Sequence, residues 1–194
     1  MEKLADFLFE TRILKYIQRA GLQYLKGPIK ENLAEHSFYT AMAAWVLAKI
    51  EKANVEKVIK MALVHDLAEG RGGDRDLIHK IYGGEIDEKK IIEEISKDHE
   101  LKEFEIKKLI KELSQEKTLE AKIVKDADVL SEILMEKDCF DLGNQKAKKW
   151  LEFSLKRLET KSGKELGRAL IEKNSDEWWL KIVERYTGYK VSLK

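Results

Sequence analysis

Four polar residues interrupt otherwise apolar helical stretches of this 194-residue chain. His65 and Asp66 are adjacent within the apolar run 61–70, while His36 and Asp128 belong to two other apolar stretches. Burying an imidazole or a carboxylate costs free energy unless the group gains a partner. Imidazole nitrogen and carboxylate oxygen are also the ligands that divalent metals take, often with positions left open for water and substrate. The four residues therefore form a candidate metal site.

The segment 123–130 offers two aspartates for the last ligand position. Residues three or four apart share one face of a helix, and the row through Asp128 carries no other charge. Asp126 follows Lys122 by four residues and could pair with it on the surface. Helical spacing therefore favours Asp128 as the buried carboxylate, with Asp126 as the alternative.

Three further residues could act on a substrate beside such a metal. Glu69 lies one turn after His65, where a carboxylate can take a proton from water, and the dipole of a helix disfavours an acid in the last turn. Asp74 could orient a substrate, protonate a leaving oxygen or cap the next short helix. Arg19 carries a planar guanidinium that suits phosphate, although it could equally be a surface residue near the end of the first helix.

Apolar residues recur three and four positions apart along most of the chain, which predicts an all-α fold. The first helix is expected to end near residues 19–21, and a third helix to reach Gly70 before a loop over 70–74. Asn32, Thr118, Ser162 and Ser175 are predicted helix caps, with the Thr118 helix running to about Phe140. The predicted apolar face of the second helix comprises Phe38, Met42, Trp45, Val46 and Ile50. His79 and His99 lie among charged residues and are expected to be solvated.

Length and composition predict a single domain over 1–194, with a metal-site core at about 12–140 and C-terminal helices at about 144–190. The 37 basic and 36 acidic residues nearly cancel, which argues against a nucleic-acid partner. The absence of a long apolar run argues against a membrane span, and a lone Cys139 suits the cytoplasm. Abundant Lys and Glu with few Asn and Gln suggest a thermophilic source. The tryptophans Trp150, Trp178 and Trp179 are expected to close the core, the alternative being a dimer surface.

The motifs around these residues resemble one family. His36, His65-Asp66 and Asp128 match the pattern of the HD-domain metal-dependent phosphohydrolases, and the set with Arg19, Glu69 and Gly73-Asp74 looks like their 5′-deoxynucleotidase branch. The resemblance implies an HD-type helical bundle that holds one divalent transition metal ion (Co, Mn, Ni, Fe or Zn rather than Mg) through His36, His65, Asp66 and Asp128. It also implies hydrolysis of nucleoside 5′-monophosphates by a homodimer, with Glu69 assisting the water, Asp74 as a second catalytic acid and Arg19 on the phosphate.

The chain departs from that branch at positions next to Arg19. Ala20 and Leu22 stand where different relatives carry Trp, which leaves the choice between deoxyribose and ribose open. The family often has a proline shortly after Gly-Asp, whereas Arg75-Asp-Leu-Ile follows here.

Three alternative functions remain compatible with the sequence. The same site could hydrolyse nucleoside di- or triphosphates or another phosphoester. A metal-binding or nucleotide-binding regulatory module without turnover is the second alternative, although pure binding would need neither Glu69 nor Asp74. A helical interaction scaffold is the third.

Overall fold

The computed structural model describes residues 1–190, and the all-α prediction is confirmed. In that range the regular elements are helical, apart from an isolated antiparallel bridge between Gln18 and Asn32. The α-helices are α1 (Glu2–Arg12), α2 (Leu22–Leu25), α3 (Leu33–Glu51), α4 (Val55–Val64), α5 (Glu69–Gly72), α6 (Leu77–Gly83), α7 (Glu88–Ile95), α8 (His99–Lys102), α9 (Ile106–Gln115), α10 (Leu119–Asp141), α11 (Ala147–Arg157), α12 (Lys161–Glu172) and α13 (Glu177–Thr187), with a 3-10 helix, Ile13–Tyr16, after α1.

Helix α10 is the axis of the fold, because α3, α4, α9, α11 and α12 all pack on it. The predicted cap is present, since the hydroxyl of Thr118 accepts a hydrogen bond from the amide of Ala121. Ile123, Leu130 and Ile133 are fully buried in the main core. Each such side chain contributes about 1.5 to 3 kcal/mol on burial. Because other helices enclose α10 on several sides, little water reaches the acidic side chains on its buried faces. Each buried carboxyl therefore needs hydrogen-bond partners or a cation to offset the cost of burial.

Helix α3 begins as predicted and buries a different face from the one predicted. Asn32 and Glu35 form a reciprocal capping box. The predicted apolar face is wrong: its residues are 43% to 60% exposed, namely Phe38, Met42, Trp45, Val46 and Ile50. The buried face consists mostly of small or polar residues, namely Leu33, His36, Ser37, Thr40, Ala44, Leu47 and Ala48. Small side chains let α3 approach α10 closely, and the periodicity could not distinguish faces because apolar residues occur on both sides.

Two predicted helix ends near the site are wrong. Helix α1 stops at Arg12 and a 3-10 turn follows, so residues 17–19 are extended rather than helical. Helix α4 stops at Val64, a turn covers 65–68, and α5 occupies most of the predicted loop. His65 and Asp66 therefore belong to the turn that follows α4, although the backbone of His65 is still helical, with φ −58° and ψ −41°.

The C-terminal helices also depart from prediction. Thr160, rather than Ser162, caps α12, and α13 follows Asp176 without a side-chain cap. Trp178 is 68% exposed and Trp179 is 40% exposed, so the expectation that they close the core is wrong. Trp150 is partly buried against Leu25, Met135 and their neighbours. Within residues 1–190, no helix combines the length and apolarity that crossing a bilayer requires.

Candidate metal centre

Three separate segments bring the four predicted metal ligands into one cluster. Helix α3 presents His36, the turn after α4 presents His65 and Asp66, and α10 presents Asp128. The Nε2 atom of His36 lies 3.0 Å from Oδ1 of Asp128 and 3.4 Å from Nε2 of His65. Oδ2 of Asp66 lies 3.2 Å from Nε2 of His65 and 3.6 Å from Nε2 of His36. The ligand atoms of His36, His65 and Asp66 all lie within 4.8 Å of one another, and Asp128 joins this group through its contact with His36.

Contacts on the outer nitrogens bear on how the two imidazoles are oriented. Nδ1 of His65 lies 2.7 Å from the carbonyl oxygen of Ala62. A carbonyl can only accept, so Nδ1 carries a proton, which leaves Nε2 as the nitrogen that faces the cluster and could bind a metal. His36 is fully buried, and Oε2 of Glu31 lies 3.8 Å from its Nδ1 atom. Glu31 was not anticipated from the sequence, because its only local signal is its place just before the cap of α3.

The cluster favours a positive charge at its centre. Burial acts to lower the pKa of His65, but the carboxylates of Asp66 and Asp128 raise it to about 9. Burial acts to raise the pKa of both carboxyls, yet the histidines lower that of Asp66 to about 2 and hold the pKa of Asp128 well below its usual range. Imidazole and carboxylate donors without sulfur suit a divalent transition metal. The residues present therefore fit the ion that the resemblance implies.

Arg19 lies on an extended segment, which corrects its predicted place at a helix end. Its amide donates to the carbonyl of Glu31, and the amide of Leu33 donates to the carbonyl of Ile17, both at 2.9 Å. These two bonds attach the segment to the start of α3. The position of Arg19 is thereby coupled to that of His36, one turn into the same helix.

The guanidinium of Arg19 reaches the metal cluster and is surrounded by acids. Its Nη1 atom lies 3.5 Å from Oδ2 of Asp66, and Nη2 lies 3.2 Å from Oε1 of Glu132. Burial opposes the charge, but the neighbouring carboxylates, chiefly Asp66 and Asp128, raise the pKa of Arg19 above its ordinary value. Glu132, one turn after Asp128, also pairs with Arg157 and was missed in the sequence because its partners are distant in the chain.

Glu69 lies beside the cluster in a setting that makes its carboxyl hard to ionise. Burial, followed by the charges of Asp66 and Asp74, raises the pKa of Glu69 to about 9. Its Oε2 atom is buried and has no hydrogen-bond partner within residues 1–190. The dipole argument does not apply, since Glu69 begins α5 instead of ending α4.

Asp74 is held against the segment that carries Arg19. Its Oδ2 atom accepts a hydrogen bond of 2.7 Å from the amide of Ala20 and lies 3.8 Å from Nε of Arg19. The alternative role of Asp74 as a helix cap belongs to Asp76, which accepts from the first amides of α6. Asp76 also lies 2.6 Å from Nδ1 of His79, which is exposed as predicted, as is His99.

Asp126 is buried, contrary to the expectation of a surface pair. It is 1% exposed and accepts hydrogen bonds from the amides of Glu159 and Thr160, at 2.7 and 2.8 Å, and from the hydroxyl of Thr160. Lys122 instead lies 3.9 Å from the carboxylate of Glu159. Asp126 therefore belongs to the junction of α10 with α12, and Asp128 alone of the two faces the histidines.

A cavity of about 890 Å³ opens beside the cluster. Near the metal ligands it is lined by Arg19, His65, Asp66, Glu69, Asp74 and Asp128, and farther along α10 and α11 by Met135, Glu136, Trp150, Phe153 and Ser154. This volume is in the range of sites for small molecules and cofactors, roughly 300 to 1,000 Å³. The cavity therefore joins the charged cluster to a partly apolar chamber.

The fold and this cluster define a class of protein, and a sequence comparison agrees. Residues 11–170 match the HD domain. The chain therefore belongs to the HD-domain family of metal-dependent phosphohydrolases. The predicted family and bundle are confirmed.

Individual relatives carry a narrower name. Human 5′-deoxynucleotidase HDDC2 is 30% identical over 145 residues, which are 72% of this chain and 69% of that protein. The 5′-deoxynucleotidase YfbR of Shigella boydii is 33% identical over 101 residues, which are 48% of this chain and 50% of that protein. A Pyrococcus horikoshii protein of known crystal structure is 29% identical, with a TM-score of 0.69 over 87% of this chain and 98% of that one.

Proposed function

We propose that the chain is a phosphomonoesterase that releases the 5′-phosphate of nucleoside or deoxynucleoside monophosphates. The observation that carries the proposal is that one cavity, large enough for a nucleotide, is lined by His65, Asp66 and Asp128 of the cluster and by Arg19, Glu69 and Asp74. The similarity to 5′-deoxynucleotidases supports the substrate class.

His36, His65, Asp66 and Asp128 would hold one divalent ion, with Mn, Fe, Co, Ni and Zn as candidates and Mg less suited to nitrogen ligands. When bound, the ion supplies Lewis acidity, which lowers the pKa of water and offsets charge on a phosphate oxygen. The chain's own contribution is the orientation of His65, whose proton on Nδ1 is fixed by the carbonyl of Ala62.

Arg19 and Glu69 would act on the two partners of the reaction. The planar guanidinium of Arg19 would bind phosphate oxygens and offset the charge that develops during transfer. Glu69 would take the proton of the attacking water in its ionised form. Burial and the charges of Asp66 and Asp74 oppose that form, and a cation held by the cluster would favour it.

Asp74 would act at the opposite end of the reacting bond. The water oxygen forms a bond to phosphorus while the bond from phosphorus to the 5′ oxygen breaks, and that oxygen needs a proton as it leaves. Asp74 lines the cavity and is held by the amide of Ala20, so it would orient the ester or donate that proton.

Phosphate release from a panel of nucleotides tests the proposal. The panel pairs ribo- and deoxynucleoside monophosphates with di- and triphosphates, each assayed with Mn²⁺, Co²⁺, Ni²⁺, Zn²⁺ or Mg²⁺ and with a chelator. We expect release from monophosphates that a chelator abolishes. Release from di- or triphosphates alone would contradict the proposed substrate class. Binding of nucleotides without release of phosphate from any phosphoester would identify a regulatory module.

We also propose that the chain forms a homodimer. The exposed apolar residues on the outer face of α3, or Trp178 and Trp179, would provide the contact surface. Sedimentation velocity would give a mass of twice the 22.6 kDa chain. A monomer at micromolar concentration would contradict it. The cytoplasmic location and the thermophilic source stay predictions.

A further inference from the structure

The cavity extends beyond the metal cluster to an acid that the proposed hydrolysis does not use. Glu136 lies on α10 and lines the cavity together with Ser154 of α11. It is 2% exposed, and its Oε2 atom has no hydrogen-bond partner within residues 1–190. A buried polar atom without a partner lowers the stability of the folded protein, and a ligand that supplied the partner would offset that loss.

The side chains around Glu136 provide one hydrogen bond to its carboxyl and little compensation for a negative charge there. Ser154 donates one hydrogen bond, of 3.0 Å, to Oε1. Burial raises the pKa of Glu136 to about 8, the charge of Glu132 acts in the same direction, and Arg157 acts in the opposite direction. Arg157 is already paired with Glu132. Near neutral pH the carboxyl is therefore largely protonated, with Oε1 accepting from Ser154 and Oε2 carrying the proton.

The position of Glu136 matches the length of the proposed substrate. Asp128, Glu132 and Glu136 are spaced by four residues on one row of α10, so Glu136 lies about 12 Å along the helix axis from Asp128. This span is comparable with a nucleoside monophosphate measured from its phosphate to the edge of its base. Trp150 and Phe153 line the same part of the cavity and offer apolar surface to a planar ring.

We propose that Glu136, oriented by Ser154, binds the base of the nucleotide and makes the enzyme select nucleotides over sugar phosphates that lack a base. The inference rests on the proposed function. The neutral carboxyl offers a hydroxyl donor beside a carbonyl acceptor, and the edge of a nucleobase offers the complementary pair. In this arrangement the base supplies the partner that Oε2 lacks, and phosphate binding at Arg19 is independent of it.

Kinetic selectivity separates this role from a structural one. We would measure kcat/KM for deoxyadenosine 5′-monophosphate and for 2-deoxyribose 5-phosphate, which has the same ester without the base. Glu136→Leu should lower the value for the nucleotide about 10- to 100-fold, the range expected for losing such hydrogen bonds, and leave the sugar phosphate unchanged. Glu136→Gln, which keeps a donor and an acceptor, should retain most of the selectivity. An equal fall for both substrates, or no fall, would overturn the proposal.

The chain offers a matched control in a second serine–glutamate pair. Ser162 donates a 2.6 Å hydrogen bond to Glu51 at the end of α3, outside the residues that line the cavity. Glu51→Leu should leave the ratio of the two kcat/KM values unchanged. Ser154→Ala provides a second, milder route, because it removes the orienting hydroxyl and should reduce the ratio less than Glu136→Leu does.

A binding measurement keeps the two proposals distinguishable. If the wild-type protein releases phosphate from neither substrate, the proposed function fails. Deoxyadenosine, which has no phosphate, would then test the base site alone through its shift of the melting temperature. A shift in wild type that is lost in Glu136→Leu and kept in Glu51→Leu supports the base site, and no difference between the three proteins overturns it.

Discussion

Asp126 and Asp128 lie two residues apart on α10 and have opposite surroundings. Two residues correspond to a rotation of about 200° around the helix, so the side chains point to opposite sides. Asp126 faces the start of α12 and accepts from two amides and a hydroxyl. Asp128 faces His36 and the other acids of the cluster. The two aspartates therefore have different places: Asp126 completes a helix junction, and Asp128 completes a candidate metal centre.

The junction around Asp126 is closely packed and internally satisfied. A Cβ atom at Gly163 would clash with Oδ2 of Asp126 and come within 2.9 Å of the hydroxyl of Thr160. Only glycine fits there without movement of the buried carboxylate. The cluster around Asp128, by contrast, gathers several acids in one place, a costly arrangement that a cation relieves. The first site is satisfied by its own hydrogen bonds, and the second remains a candidate site for a cation.

The largest expected effect is the loss of activity in Asp128→Ala. We expect activity to fall at least about 10³-fold, equivalent to about 4 kcal/mol, because the variant lacks one of the four donors. The bound metal, measured by elemental analysis after dialysis, should fall with it, while the melting temperature of the metal-free protein should not. A variant that keeps both its metal and its turnover would remove Asp128 from the site.

Glu69→Gln should lose turnover and keep its metal. Removing a general base typically costs about 10²- to 10⁴-fold in rate, and Glu69 is not among the four proposed ligands. Turnover and metal content measured on the same preparation check this. Normal turnover would exclude Glu69 as the base, and loss of metal would place it among the ligands.

Asp126→Ala should change stability instead of chemistry. Three donors at the start of α12 would lose their acceptor, so we expect the free energy of unfolding to fall by about 3 kcal/mol. Urea denaturation measures the loss, with the exposed Asp6→Ala as a control that should change little. The kcat with saturating metal should stay within about twofold of wild type well below the melting temperature. A selective loss of activity would contradict the division between the two aspartates.

Glu136 is a third acid of α10, and the smallest expected effect is its contribution to the pH dependence of folding stability. Its pKa is raised from 4.5 to about 8 in the folded protein, so the unfolded chain ionises first as pH rises. The stability linked to this group is present below pH 4.5 and is lost as pH rises towards 8. Relative to Glu136→Leu, wild type should therefore lose roughly 2 to 3 kcal/mol between about pH 5 and about pH 7. Parallel stability curves for the two proteins would contradict the raised pKa.

Local chemistry made several features predictable. Asn32 and Thr118 could be assigned as caps because a cap depends on residues within one turn. His36, His65 and Asp66 stood out because side chains that can ligate a metal seldom lie within apolar helices unless they have a partner there. Their roles in metal binding stay predictions, although the structure places them together.

Features that depend on residues distant in the chain could not be predicted from the sequence. The buried face of α3 was misassigned because large apolar residues lie on its outer side. Glu132 and Glu136 carry no local signal, because their partners Arg19, Arg157 and Ser154 lie in other segments of the chain. The turn at 65–68 interrupts a segment whose apolar pattern continues through it.

The sequence alone determined the helical class, the main caps and the residue types capable of holding a metal, because periodicity, capping and ligand chemistry are local properties. The tertiary structure decided which of two aspartates joins the histidines, which face of α3 is buried and which acid at the far end of the cavity has an oxygen without a partner within residues 1–190. Those outcomes depend on the packing of α10 against α3, α11 and α12 and on contacts between residues far apart in the chain, such as Arg19 and Glu132, which are 113 positions apart.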